Sequence, residues 1–298
     1  MISTYFIGTW LRVWLNKYSN NQQNASPMKS ILSILLILIP FNLFAQDTIC
    51  ISKTIEHTLF SEHLEENRNY WVSLPLNYSD SLNYPVIYVF DAEWRFDLVK
   101  DIVFDLGANR KIDRSIIVGI PHIDWKEKRG VDLTFSHSRV EYDGEVVDST
   151  WYNNTNSGGG EKFYQYLTTE LIANVNEKYS TNHHETLIGH SYGGYFGGYI
   201  LTKDHPFEIL HIYDPSIWFS NGEVTERFKQ RTNKQAARIH LTYQPIPEFH
   251  KNKIEGFIEA LENDSSITLS KKLYEDETHI SLFLDSFYKG ILETHQKD

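Results

Sequence analysis

The sequence predicts an α/β fold with a mostly parallel central sheet and helices on both faces. Short and almost wholly apolar runs recur along the chain, for example at 84–90 and 115–121, as expected of strands that are buried on both sides. Segments with helical periodicity lie between such runs. A strand, a one-residue corner and a glycine-rich helix also follow one another at 185–200. Strands that alternate with helices favour parallel pairing. We expect residues 46–298 to form a single domain of this kind.

The individual elements follow from the same periodicities and from turn residues. Strands are expected at 47–60, 69–75, 84–90, 115–121, 208–213, 236–243 and 267–274, in addition to the one before the corner. The first two would form an antiparallel hairpin at a sheet edge. Helices are expected at 94–106, 161–179, 223–229, 251–261 and 279–292. Segment 122–160 lacks a clean period, and a loop of that length in a domain is usually functional.

Composition and charge exclude some partners. The chain has 298 residues, of which 28 are basic and 39 acidic, so its formal net charge is −11. An acidic protein is a poor match for a phosphate backbone, and we expect no nucleic-acid partner. The one cysteine, Cys50, has no second thiol for an internal disulfide and is expected to face inward on the first strand.

Residues 28–45 have the pattern of a secretory signal peptide. A basic start, a short apolar core, a proline and a small residue precede Gln46 in the segment MKSILSILLILIPFNLFA. We expect cleavage after Ala45 and export, to the periplasm or beyond. Residues 1–27 would be an upstream extension that is not translated or is disordered. A retained anchor is the alternative, but the apolar core is short for a bilayer, so no membrane span is expected after cleavage.

The corner at 189–193 carries the first chemical signal. Gly189-His190-Ser191-Tyr192-Gly193 matches Gly-x-Ser-x-Gly, in which a serine at a strained strand-to-helix turn points its hydroxyl above the sheet. Because the five-residue pattern alone is common, the apolar run before it and the glycines after it decide the interpretation. Ser191 is the expected nucleophile, and a glycine-rich helix entry with a capping serine is the structural alternative.

A serine nucleophile needs a base, and the base needs an orienting acid. His279 follows the last expected strand, so it would meet Ser191 at the carboxyl edge of a parallel sheet. For the acid, Glu248 follows the next-to-last strand in the loop that begins at Gln244, and chain order favours it over Asp214, which follows the preceding strand. Both acids stay open at this point, with Glu248 preferred.

The developing oxyanion needs two donors. One should be the backbone N–H of Tyr192, directly after the nucleophile, and the other an N–H after the 84–90 strand, at Ala92 or Glu93. Metal, phosphate-loop and dinucleotide signatures were not found, so no metal and no cofactor are expected. Candidate substrate contacts on the long loop are Arg129, Asp132, Trp125 and Trp151.

These pieces together resemble the esterase D-like Putative esterase family of α/β-hydrolases, in particular its siderophore and carbohydrate esterases. The matching segments span most of 48–292 and read YWVSLP at 70–75, YPVIYVFD at 84–91, VGI at 118–120, RGVDLT at 129–134, GEKF at 160–163, LIGHSYGG at 187–194, PSIW at 215–218 and Thr-His at 278–279. The resemblance implies the α/β-hydrolase fold, with Ser191 as nucleophile, His279 as base and Glu248 as acid. Asp214 stands where this family usually has a small residue.

The sequence therefore predicts an exported serine ester hydrolase with a Ser-His-Glu triad and an acyl-enzyme. Its substrate would be a small-molecule, siderophore or carbohydrate ester, and its oligomeric state is left open. A serine peptidase or acyltransferase with the same triad is one alternative. A non-catalytic ligand-binding protein on the same fold is the other.

Overall fold

A sheet of eight strands runs through the part of the chain that the computed structural model describes, residues 53–126 and 128–296. The expected signal peptide at 28–45, the extension at 1–27 and Cys50 lie outside these residues. In chain order the strands are β1 (Thr54–Ser61), β2 (Glu66–Ser73), β3 (Tyr84–Phe90), β4 (Ile116–Ile120), β5 (Thr181–His190), β6 (Phe207–Tyr213), β7 (Ala237–Tyr243) and β8 (Ile267–Leu273).

The strands lie in the order β1-β2-β4-β3-β5-β6-β7-β8. β1 and β2 form an antiparallel hairpin at one edge, and β2 also pairs antiparallel with β4. Every other pair in the sheet is parallel. The predicted α/β fold and its edge hairpin are confirmed. Because β3, β5, β6, β7 and β8 run parallel, their carboxyl ends open on one edge of the sheet.

Helices cover both faces of this sheet. They are α1 (Ala92–Ala108), α2 (Lys128–Leu133), α3 (Gly160–Gln165), α4 (Ile172–Lys178), α5 (Tyr192–Ile200), α6 (Glu223–Gln230), α7 (Glu248–Glu262) and α8 (Leu282–His295). α3 and α4 correspond to the one helix expected at 161–179. A π-helical turn, Tyr166–Leu171, joins them. Within that turn, the Glu170 carboxylate accepts hydrogen bonds from Ser61 Oγ at 2.5 Å and the backbone N–H of Glu62 at 2.9 Å, which ties the helix to the end of β1.

The core has two parts, one on each face of the sheet. β3 shows the division, because successive side chains of a strand point to opposite faces. Val86, Tyr88 and Phe90 lie in the part that contains residues of α3 to α7. Ile87 and Val89 lie in the other part, with apolar residues of α1 and α8. This two-sided burial explains why β3 reads as an unbroken apolar run in the sequence.

Segment 122–160 is more ordered than its sequence pattern indicates. It contains α2 and an antiparallel bridge between Val140 and Val146. The backbone N–H of Gly159 donates to Val131 O at 2.9 Å, so the end of the segment folds back onto α2. Contacts gather residues Ser52–Asp298 into one unit. Of the helices in the described residues, none is long and apolar enough to cross a membrane.

Candidate active site

Ser191 stands alone between β5, which ends at His190, and α5, which begins at Tyr192. Its backbone has φ 61° and ψ −118°, a conformation that residues other than glycine rarely adopt. The turn is tight: a Cβ on Gly189 would lie 2.2 Å from the carbonyl oxygen of Gly193, so only glycine fits there. Strain of this kind is typical of functional sites, and here it lifts a hydroxyl above the carboxyl edge of the sheet.

His279 lies in the connection between β8 and α8 and contacts a buried carboxylate. Its Nδ1 is 2.6 Å from Oδ2 of Asp214, which directly follows β6 and is 0% exposed. Burial alone would raise the pKa of Asp214, but hydrogen bonds from His250 and His279 outweigh it and hold that pKa well below its usual range. Asp214 is therefore charged at neutral pH, and the ring atom that faces it carries the proton.

The preference for Glu248 over Asp214 is corrected by this contact. Glu248 is the first residue of α7 and its side chain is exposed, whereas the carboxylate bonded to His279 belongs to Asp214. The prolines of the 244–248 loop are followed directly by the helix α7. In the first turn of α7, the side chain of Glu248 faces solvent. His250, two residues later, is the residue of α7 that reaches Asp214.

Ser191 and His279 line the same cavity, which has a volume of about 320 Å³. Ser191 Oγ lies 3.4 Å from Ser216 Oγ, and no hydrogen bond joins Ser191 to His279 in the described residues. Catalytic hydrogen bonds are often long in the absence of substrate. The other lining residues are mostly aromatic, apolar or neutral polar: Tyr142, Tyr192, Ser216, Trp218, Gln244, Ile246, Pro247 and His250.

The two expected oxyanion donors lie at the starts of two helices. Tyr192 directly follows the corner, and Ala92 follows the turn after β3. α1 starts at Ala92, directly after Asp91, whose backbone is left-handed with φ 54°. A Cβ on Gly193 would be 3.3 Å from the Phe90 ring, so the turn after β3 lies against the start of α5. N–H groups in the first turn of a helix have no partner within that helix. The N–H groups of Ala92 and Tyr192 thus stay the predicted donors.

Arg129 supports this turn. Its Nη2 donates to Asp91 Oδ2 at 2.9 Å and to the carbonyl oxygen of His190 at 3.3 Å, and its Nε also donates to Asp91. Burial would raise the pKa of Asp91, but the Arg129 charge and hydrogen bond lower it to about 2. The guanidinium also lies 5.4 Å from the centre of the Tyr192 ring. Arg129 therefore links the turn after β3, the corner and the wall of the cavity.

None of the four predicted substrate contacts, Arg129 included, is among the residues that line this cavity. Asp132 is 1% exposed and is held by Arg68 and by His122 Nδ1 at 3.2 Å, so it serves a buried ion-pair network and its prediction as a substrate contact is corrected. Trp125 and Trp151 are on the surface, 55% and 61% exposed. Tyr142, from the same segment as Trp151, lines the cavity instead. Exposure and aromatic character alone could not distinguish these residues in the sequence.

His190, inside the corner motif, also contacts His279. Its Nε2 is 2.6 Å from the backbone carbonyl oxygen of His279, and the two rings are 4.4 Å apart. Burial, with smaller contributions from His279 and Arg95, lowers the pKa of His190 to about 3. The ring is neutral at ordinary pH, and because a carbonyl oxygen only accepts, Nε2 must carry its proton. His190 thus holds the backbone of His279 against the corner.

Asp214, His250 and His279 could in principle hold a metal ion, since one ligand atom from each lies within 4.8 Å of the others. In this structure the same atoms bond to one another. His250 Nε2 is 3.0 Å from Asp214 Oδ1, and His279 Nδ1 is 2.6 Å from Oδ2. These two contacts fit a histidine–carboxylate relay.

Fold and site together define a class. A strained serine after the fifth strand of a mostly parallel sheet, with a histidine–carboxylate pair in the same cavity, is the arrangement typical of serine hydrolases with the α/β-hydrolase fold. A family model described as Putative esterase matches residues 61–241, more than half of the chain. The chain belongs to the Putative esterase family. The predicted family and fold are confirmed, and with them the class of enzyme, a hydrolase of the esterase type.

Individual proteins are similar to this chain. An IroE-like serine hydrolase from Shewanella oneidensis is 27% identical, with 81% of this chain and 79% of that one covered and a TM-score of 0.72. The siderophore hydrolase EstB from Aspergillus nidulans has a TM-score of 0.68 over 84% of this chain and 97% of its own, and at 17% identity it shows the fold alone. The uncharacterized protein YjcH of Bacillus subtilis (strain 168) is 32% identical over 146 residues, 46% of this chain and 51% of YjcH. The chain thus matches about half the length of this curated relative.

Proposed function

We propose that the chain is an exported serine ester hydrolase that acts through Ser191, His279 and Asp214. The observation that carries the proposal is the 2.6 Å contact between His279 Nδ1 and Asp214 Oδ2, beside a cavity that Ser191 and His279 share. A proton fixed on Nδ1 leaves the lone pair of His279 on Nε2. A serine hydroxyl needs an acceptor of this kind, because it is a weak nucleophile at neutral pH.

The reaction then has two halves. As Ser191 Oγ attacks the ester carbonyl carbon, its proton moves to His279 Nε2, and Asp214 stabilises the imidazolium that forms. His279 next gives the proton to the departing alcohol oxygen, which leaves an acyl group on Ser191. Water enters, loses a proton to His279 and attacks the acyl carbon, so that the acid is released and Ser191 regains its proton.

The negative oxygen of each tetrahedral intermediate would be bound by the N–H groups of Tyr192 and Ala92. Both follow a residue with positive φ, Ser191 at 61° and Asp91 at 54°, and both open a helix. Such N–H groups lack a partner within the helix and lie at its positive end. Arg129 stabilises this arrangement, since it bonds to Asp91 and to the carbonyl oxygen of His190.

We propose a small-molecule ester as substrate, with siderophore and carbohydrate esters as the first classes to try. Two features support this choice. The cavity of about 320 Å³ is large enough for one ester and a ring next to it, and Tyr142 and Trp218 offer aromatic faces. Relatives with this fold include an IroE-like serine hydrolase and a siderophore hydrolase.

Export is proposed from the sequence of residues 28–45, which has the parts of a cleavable signal. Expression of the whole chain in a Gram-negative host, followed by fractionation and N-terminal sequencing, tests it. The expected mature protein begins at Gln46 and is found outside the cytoplasm. Retention of the leader in the cytoplasmic fraction would contradict export and leave the catalytic proposal untouched.

The activity is tested with Ser191→Ala on a short p-nitrophenyl ester. We expect turnover to fall to the background rate, while the melting temperature stays close to that of the parent protein. Ser81→Ala is the matched control, because Ser81 is an exposed serine in the turn between β2 and β3 and should leave turnover unchanged. Undiminished turnover in Ser191→Ala would contradict the proposal.

A further inference from the structure

We propose that His250 is a positioning residue that orients Asp214 towards His279, so that the proposed relay has four members instead of three. The inference rests on the proposed role of Asp214. His250 lies in the first turns of α7, is 3% exposed, and has Nε2 3.0 Å from Asp214 Oδ1. His250 also borders the cavity, but its Nε2 is used on Asp214, so its effect on turnover passes through the carboxylate.

The two oxygens of Asp214 have different partners. Oδ2 faces His279 Nδ1 at 2.6 Å, whereas Oδ1 accepts from His250 Nε2 at 3.0 Å and from the backbone N–H of Gln244 at 3.2 Å. The carboxylate is 0% exposed, so these three contacts from three chain segments replace its hydration. Each contact on Oδ1 fixes which oxygen is left for His279.

The chemistry of the partners assigns a proton to His250. An ionised carboxylate only accepts hydrogen bonds, so the ring nitrogen that faces Oδ1 must be an N–H. This N–H is used on Asp214. The other ring nitrogen, Nδ1, is buried and has no partner among the described residues. The hydrogen bond to Asp214 is therefore the one polar contact that His250 makes there.

The carboxylate needs such a contact because its own backbone and side chain do not fix its plane. Asp214 has a positive φ of 39° and directly follows the last residue of β6. The last torsion of an aspartate side chain is broad, so hydrogen bonds decide the angle at which its two oxygens lie. Without His250, Oδ1 would keep only the longer contact with Gln244, and the carboxylate could turn away from His279.

The position of His250 is itself fixed by packing. α7 buries Ile254 and Phe257 completely, which anchors the helix on the sheet one turn and more beyond His250. The segment that the sequence predicted to supply the acid thus supplies a donor to the acid instead. The acid of the proposed relay thus follows β6, one strand before the place that chain order favours. The buried histidine on the helix after β7 donates a hydrogen bond to it.

The test compares His250→Leu with His250→Gln, both in the parent protein and in Asp214→Asn. Leucine keeps an apolar volume but cannot donate, while glutamine retains an N–H group. Loss of one hydrogen bond to a charged group corresponds to roughly a 10- to 100-fold fall in kcat for His250→Leu. We expect KM to change by less than about threefold, since the group acts after binding. His250→Gln should recover most of the loss.

The Asp214→Asn background separates positioning from general damage. If His250 acts through the carboxylate, His250→Leu should cost less than about twofold once the carboxylate is gone, because interacting residues are not additive. An equal loss in both backgrounds, or no loss in the parent protein, overturns the proposal for His250 alone. If Asp214→Asn itself leaves kcat unchanged, the triad assignment fails, and the positioning role fails with it.

A proton NMR signature guards against misfolded variants. The proton on His279 Nδ1 should give a resonance far downfield, because it lies in a short hydrogen bond to a carboxylate. We expect the resonance to persist in His250→Gln and to shift upfield or vanish in His250→Leu. Both variants should have melting temperatures above the temperature of the assay, which shows that they are folded. An unchanged resonance in folded His250→Leu would refute the positioning role.

Discussion

The choice between the two candidate acids gives the sharpest prediction. Asp214→Asn keeps the shape of the side chain and removes its charge, whereas Glu248→Gln does the same at the exposed start of α7. Asp214 is 0% exposed and its Oδ2 lies 2.6 Å from His279 Nδ1. An amide there favours the wrong tautomer, with the proton on Nε2, and leaves the developing imidazolium without a counter-charge.

The magnitude follows from what is lost. In the well-studied serine protease triad, the same aspartate-to-asparagine change costs about 10⁴ in kcat. His279 here is 38% exposed at its side chain, so water can stabilise part of the imidazolium charge. We therefore expect a fall of about 10³ to 10⁴, equivalent to about 4 to 5.5 kcal/mol of transition-state stabilisation. Glu248→Gln should change kcat by less than about twofold.

The assay is steady-state hydrolysis of a p-nitrophenyl ester between pH 6 and 9, with melting curves to confirm that each variant is folded. Both variants should keep the KM of the parent protein, because neither side chain is expected to bind the ground-state ester. A larger loss of kcat in Glu248→Gln than in Asp214→Asn would refute the reasoning and restore the acid that chain order favours.

Three further predictions concern the support of the site and the core. His190→Phe keeps a buried ring but loses the 2.6 Å hydrogen bond to the His279 carbonyl oxygen, so kcat should fall roughly tenfold. In His190→Gln, which retains an N–H group, kcat should fall less. An equal fall of kcat in both variants would argue that packing alone matters. Arg68→Met removes the buried guanidinium that bonds to Asp132 and should cost about 3 to 5 kcal/mol in urea unfolding. The double variant Arg68→Met with Asp132→Leu should restore most of that loss, and an unchanged midpoint in the single variant would contradict the ion-pair account. Burial lowers the pKa of His205 to about 4, so the unfolded chain binds more protons than the folded chain between about pH 6.5 and 4. The free energy of unfolding should therefore fall by about 3 kcal/mol from this group as pH drops through that window. His205→Gln should flatten this part of the plot of unfolding free energy against pH, and an unaltered slope would rule the group out.

Much of the fold could be predicted because its signals are local. β3 is apolar on both faces, and its residues divide between the two parts of the core as alternate positions require. The corner at Ser191 was recognisable because its glycines relieve clashes within the same turn, such as that between a Gly189 Cβ and the Gly193 carbonyl oxygen. Elements of this kind depend on neighbours that are close in sequence.

The acid could not be assigned with the same success, because its identity depends on how three connections meet in space. Asp214 follows β6, His250 lies on the helix after β7, and His279 follows β8. Chain order alone permitted an acid after either β6 or β7. The deciding facts are the outward direction of Glu248 in the first turn of α7 and the positive φ of Asp214, neither of which a residue pattern contains.

The substrate contacts illustrate the same limit. The sequence indicates only that Asp132 is a polar residue on a long loop, yet it pairs with Arg68 of β2, 64 positions earlier in the chain. Trp151 and Tyr142 share composition and location in the sequence, and only the fold of segment 122–160 brings Tyr142 to the cavity. Long-range pairings of this type leave no period and no spacing that could be recognised beforehand.

The rate at which a fluorophosphonate probe modifies the protein tests most directly whether His279 activates Ser191. Intact-mass and peptide analysis of the parent protein should find one adduct, which forms fast and lies on Ser191. His279→Gln should slow that modification by at least about a hundredfold in a protein that still melts cooperatively. An adduct on another serine, or the same rate of Ser191 modification without His279, would contradict the account.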